Sequence, residues 1–179
     1  MSEKRSSNLD ELCYPYIYER SALCDYEIAT DELCSRIGAA LSGLPEGFED
    51  LAQDLDTLQP LAYHLNGSVR GKLAVEEKDL EWLQERYRHY QATAASNVKS
   101  AVLPRGPAPG PQLHLARSAA KRTIRLLLQV EQEGREVPAI LFRFCNLLCN
   151  FFFVLALELN RRLGVPEIPF QSKSYGNPK

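Results

Sequence analysis

Four basic side chains, His114, Arg117, Lys121 and Arg125, recur at spacings of three, four and four within LHLARSAAKRTIR, residues 113–125. On a helix this spacing sets them in one stripe. A second set, Leu113, Ala116, Ala120, Ile124 and Leu127, repeats at helical spacing and provides a face for packing. Fixed cations beside a packed face, in a cleft that holds little water, interact strongly with phosphate oxygens. The stripe could therefore hold a polyphosphate. The same pattern also describes a solvated basic face with salt-bridge partners.

The surrounding sequence supplies helices to carry these groups. A first helix is predicted over Asp25–Ser42, stopped by Gly43 and Pro45. Phe48, Leu51, Leu55, Leu58, Ala62 and Leu65 alternate at three and four, which predicts a second, with Pro60 expected to kink it. A third presents Leu80, Leu83, Tyr87 and Tyr90. The segment LPRGPAPGP, residues 103–111, is too rich in proline for helix or central strand and reads as a stiff loop. The fourth helix is predicted from Gln112 to near Gly134, and the fifth from Pro138 to near Gly164. This gives an all-α fold, a bundle of five helices. The expected division is an N-terminal arm over 1–24, a bundle over 25–164 and a polar, extended or disordered tail over 165–179.

At 179 residues the chain fits one domain with a full core, and its net charge of -2 gives no reason to expect nucleic acid. Five cysteines without a CxxC pair predict reduced thiols and a cytoplasmic protein. Cys145 and Cys149 stand one helical turn apart but lack further ligands, so they read as core residues and no metal site is predicted. The apolar run through the fifth helix is broken by Arg143, Asn146 and Asn150. It is therefore read as a core helix and not a membrane span.

Four stretches, in order, resemble the PduO-type ATP:cob(I)alamin adenosyltransferases. LHLARSAAKRTIR is similar, without gaps, to that family's LH-x-AR-x-x-x-RR-x-x-R helix. CNLLCNFFFVLALELNRRLG (145–164) resembles its NRLSD-x-LFVLARYxNRxxG helix, ATDELCSRIG (29–38) its DEL segment, and VLPRG (102–106) its FVLPGG loop. The resemblance implies a five-helix bundle forming a homotrimer, with ATP, a divalent cation and cobalamin bound between subunits. It further implies attack of the cob(I)alamin cobalt on the 5′ carbon of ATP, with triphosphate leaving.

Carried over residue by residue, the resemblance makes Arg117, Lys121, Arg125 and Asn146 nucleotide-binding candidates. Ala101, Cys149 and Asn150 become corrinoid-cleft candidates, and Asp31 with Arg117 a pair between subunits. Several positions depart from the family. Residues 1–24 contain no glycine, where the family carries a TKxGDxGxT segment whose backbone N–H groups approach the phosphates. Lys121 replaces an arginine and Ile124 a glutamate. Leu147, Cys149 and Asn150 replace the arginine, serine and aspartate of NRLSD. Ala101 replaces an aromatic residue that presses on the lower face of cobalamin, and Arg105 replaces a loop glycine. Two readings stay open: an adenosyltransferase with a rebuilt phosphate site and little ordinary turnover, or a non-catalytic helical assembly or binding protein for a corrinoid, a nucleotide or a protein partner.

Overall fold

The computed structural model describes residues 6–95, 98 and 101–174. Residues 1–5 of the expected arm and 175–179 of the expected tail lie outside the described residues. Five α-helices follow one another: α1 (Ala22–Ser42), α2 (Glu49–Gly67), α3 (Glu77–Tyr90), α4 (Gly110–Gln132) and α5 (Ala139–Arg162). A single π turn, Gln91–Ala95, extends α3. α1 packs against α2 and α4, α4 against α5, and α5 against α3.

The apolar repeat of α2 does what its spacing predicts, since Phe48, Leu51, Leu55, Leu58, Ala62 and Leu65 are all buried. The helix is assigned without interruption through Pro60, which lies on its exposed side. α5 is long and apolar enough to cross a membrane by length and composition. In the structure it packs against both α3 and α4, burying Phe144, Leu148, Phe151, Phe152 and Leu155. Each such side chain stabilises the fold by roughly 1.5–3 kcal/mol through removal from water.

Helix starts differ from the sequence expectation. α1 begins at Ala22, three residues before Asp25, because both carboxylate oxygens of Glu133 accept from the Ala22 N–H at 3.0 and 3.1 Å. That carboxylate lies just beyond the end of α4 and satisfies a donor that no local side chain caps. α4 begins at Gly110 and not Gln112, and Pro138 caps α5 from outside it.

The arm is held to the bundle by Arg70. Its guanidinium donates to Glu27 Oε1 and Oε2 at 2.6 and 3.0 Å, pairs with Glu19 at 2.9 Å, and lies 3.7 Å from the centre of the Tyr16 ring. The Glu27 side chain is only 2% exposed, so this fork neutralises a buried carboxylate.

Over 165–170 the backbone after α5 pairs with the loop before α4. The Phe170 N–H donates to the Ala101 carbonyl at 2.7 Å and the Leu103 N–H to that of Ile168 at 2.9 Å, flanking an antiparallel bridge between Val102 and Pro169. The backbone after α5 thus straps the proline-rich loop before α4. Partners more than sixty residues apart left no local signal of this pairing.

Candidate functional site at the seam of α4 and α5

α4 places the basic stripe, but the four residues do not share one environment. His114 is 5% exposed, and neither ring nitrogen has a hydrogen-bond partner. Its ring centre lies 6.5 Å from that of Phe153 on α5. Burial, aided by the neighbouring Arg117 charge, lowers its pKa from 6.5 to about 4. The imidazole is therefore neutral at pH 7. His114 leaves the stripe as a cation and joins the packing face.

Arg117 is half-buried, with its guanidinium carbon 5.4 Å from the centre of the Phe153 ring and its Nε buried without a partner. Lys121 and Arg125 are exposed one and two turns further on. Among the described residues none of these three cations is paired with a carboxylate. Arg122 behaves differently, reaching Glu32 of α1 at 3.0 Å. The face that carries Arg117, Lys121 and Arg125 thus keeps unneutralised charge, which favours anions. Of the expected packing set, Leu113, Ala116, Ala120 and Leu127 are fully buried and Ile124 is half-buried.

α5 lies opposite. Cys149 is half-buried; burial pushes its thiol pKa up, while Lys121 and Arg117 are near enough to pull against that rise. Cys145 is fully buried and its pKa is raised to about 12, as befits a core thiol. All five cysteines are free. Asn146 and Asn150 are exposed, and the Asn146 amide donates to the Phe142 carbonyl of its own helix at 2.8 Å. The asparagines therefore stand on the rim of the seam and not in its core.

Asp31 lies on another side of the molecule. Its neighbour Glu32 faces α4, whereas Asp31 lines a cavity of about 380 Å³ with Cys13, Tyr14, Ile28, Tyr63 and Asn66. Among the described residues no ion pair joins Asp31 on α1 to Arg117 on α4.

The strapped loop borders the seam at the start of α4. The Asn160 amide donates to the Arg105 carbonyl at 3.3 Å and to Glu167 Oε1 at 2.8 Å, tying loop, strap and helix together. Gly106 lies against the same side chain, and a Cβ at position 106 would collide with Asn160 Oδ1. Arg105 and Ala101 are exposed.

This arrangement of helices has relatives. The family model described as cobalamin adenosyltransferase matches residues 21–159. The chain belongs to the cobalamin adenosyltransferase family. It is 32% identical over 149 residues to a corrinoid adenosyltransferase of Bacillus subtilis, covering 79% of this chain and 76% of that protein. It is 30% identical over 145 residues to a cobalamin adenosyltransferase of Cupriavidus metallidurans, with the same coverage. Among solved structures it resembles a PduO-type ATP:corrinoid adenosyltransferase of Lactobacillus reuteri. One variant of that protein, with a phenylalanine replaced by alanine and complexed with cobalamin and ATP, matches with a TM-score of 0.76 and 24% identity over 86% of this chain and 88% of that one. A second, with an arginine replaced by lysine and complexed with ATP, matches with a TM-score of 0.76 and 24% identity over 86% and 89%. These likenesses establish the fold.

For a family member, the structure adds groups that the motifs did not single out. Phe153 packs against both His114 and Arg117. Asn160, which falls on the asparagine of the NRxxG ending of the matched stretch but was not singled out there, joins the loop to the strap. Glu158, 1% exposed, receives Arg161 and Arg162; burial alone would raise its pKa, but the two guanidiniums outweigh it and hold it below the usual carboxylate range.

Proposed function

We propose that the chain works as a homotrimer that binds a corrinoid and a nucleoside triphosphate between subunits, and that it transfers the adenosyl group of ATP to cob(I)alamin only slowly. The observation that carries this reading is the set Arg117, Lys121 and Arg125, three cations on one helix face with no carboxylate partner among the described residues of their own chain. Lys121 and Arg125 are assigned to the triphosphate, with Asn146 at the rim. Cys149, Asn150 and Ala101 border the corrinoid.

Asp31 of one subunit pairs with Arg117 of the next. Its support is negative within one chain and positive in chemistry: Arg117 has a buried donor to satisfy, and Asp31 is an exposed carboxylate with no ion pair among the described residues. Lysine keeps the charge that an arginine would bring but supplies a point contact in place of a bidentate fork. With no glycine among residues 1–24, the arm carries tyrosines and the Glu19 carboxylate, paired with Arg70, in place of glycine backbone donors able to approach phosphate closely. Losing one well-placed donor to a developing charge lowers a rate roughly a hundredfold or more, so binding outlasts turnover here.

Calorimetric titration with ATP, combined with corrin absorption on addition of reduced cobalamin, tests the reading. Binding of both with slow formation of the cobalt–carbon bond supports it. Turnover comparable to that of a family member with the glycine-rich loop overturns the slow step. Binding of neither leaves an assembly role on the same bundle.

A further inference from the structure

We infer that the groove between α2 and α3 is a binding site for a small primary ammonium on a short aliphatic stem, a ligand of opposite charge to the one assigned to α4. The groove has a volume of about 330 Å³ and shares no lining residue with the Asp31 cavity. α2 contributes Asp50, Asp54 and Thr57, whose spacings of four and three put them on one stripe. α3 faces them with Trp82, Glu85 and Arg86.

The two helices meet here through polar groups. Asp54, 7% exposed, accepts the Tyr90 hydroxyl at 2.5 Å and the Arg86 Nε at 2.8 Å, both on Oδ2. Its other oxygen, Oδ1, has no partner among the described residues and opens on the groove that the side chain lines. A carboxylate oxygen held in so buried a side chain is a strong acceptor for a donor from outside.

Charge selects the donor. Arg162 pairs with Asp50 at 2.6 Å and Arg86 with Asp54 at 2.8 Å, which leaves Glu85, exposed and without an ion pair among the described residues. The groove thus keeps one carboxylate in excess, which repels phosphate and attracts a single cation. Trp82 adds an apolar wall, half-buried, with part of its side chain packed on the core and part lining the groove. An indole beside carboxylates suits an alkylammonium, whose stem lies on the ring while its N–H groups reach the oxygens. The three donors of a primary ammonium match the acceptors offered by Asp54 Oδ1, Glu85 and the exposed Thr57 hydroxyl. A hydrated metal ion would leave the ring unused.

Trp82 is the only tryptophan of the chain, so its emission reports on this groove. The test titrates the full chain, without nucleotide or corrinoid, with n-butylammonium chloride and follows Trp82 emission and the melting temperature. n-Butanol, sodium chloride and magnesium chloride, the salts at matched ionic strength, are the comparisons. The expected result is a saturable change in emission with a rise in melting temperature, given by the ammonium and not by the alcohol or the salts. Affinity should fall by about tenfold in Glu85→Gln. Glu85 is exposed and unpaired, so this variant keeps the fold, which its melting curve checks. Asp54→Asn should also weaken binding but disturbs the Arg86 pair, so Glu85→Gln is the deciding variant. The absence of a saturable response overturns the inference. So does a response that magnesium or the alcohol reproduces, and so does equal affinity in Glu85→Gln.

Discussion

Arg117 lies over Phe153, 5.4 Å from ring centre to guanidinium carbon, with its Nε buried and unbonded. A ring face attracts a cation but cannot replace a hydrogen-bond acceptor. The contact orients the guanidinium and leaves one donor for a group outside the chain.

If that group is Asp31 of a neighbouring subunit, Arg117→Ala should weaken assembly by about 3–5 kcal/mol, the cost of stranding one partner of a buried pair. Light scattering coupled to chromatography measures the mass. The unmodified chain is expected to run as a trimer, and Asp31→Ala should dissociate it as Arg117→Ala does. A monomeric unmodified chain contradicts the expectation.

His114 predicts a particular pH dependence. Its pKa is about 4 in the fold, against 6.5 ordinarily, so between these values the unfolded chain binds more protons than the folded one. Stability should fall as the pH drops below about 6.5 and stop falling on this account below about 4, for a total of up to about 3 kcal/mol. Denaturant titrations at a series of pH values should show that His114→Leu flattens this window. Glu158 and Asp50, whose pKa values lie below the usual carboxylate range, contribute only at lower pH.

For the exposed cations the expected signature is an anion effect. Millimolar ATP or triphosphate should raise the melting temperature of the unmodified chain, since a ligand that binds only the folded state stabilises it by mass action. Arg125→Ala and Lys121→Ala should reduce that rise while changing stability without ligand by no more than ~0.5 kcal/mol. A melting curve indifferent to triphosphate would make the stripe a solvated face.

Arg70→Ala removes the partner of a carboxylate that is 2% exposed and should destabilise the chain by about 3–5 kcal/mol. Limited proteolysis should then cut within the arm near Tyr14–Tyr18 sooner than in the unmodified chain. Replacing Glu27 by Gln together with Arg70→Ala should recover part of the loss, because no buried charge is left unpaired.

Much of the bundle was legible in the sequence because helical periodicity is a local property. The repeat from Phe48 to Leu65 needed only its own spacing, and the cations of α4 were visible for the same reason. What stayed hidden depends on distant chain. α1 starts early because Glu133 caps it from beyond α4, and His114 is buried because Phe153 and the rest of α5 lie over it. The strap pairs with a loop that precedes it by two helices. The division of the stripe into a neutral buried member and charged outer members follows from packing, which spacing alone does not encode.

The position of α5 in the chain has a consequence for biosynthesis. α4 and α3 both rest on it, yet it is the last of the five helices to leave the ribosome. Until residue 162 has emerged, the nascent chain carries apolar faces whose main covering helix does not yet exist. Ribosome-bound chains halted before Ala139 should therefore recruit chaperones strongly and resist folding, and chains released past Arg162 should collapse in a single late step.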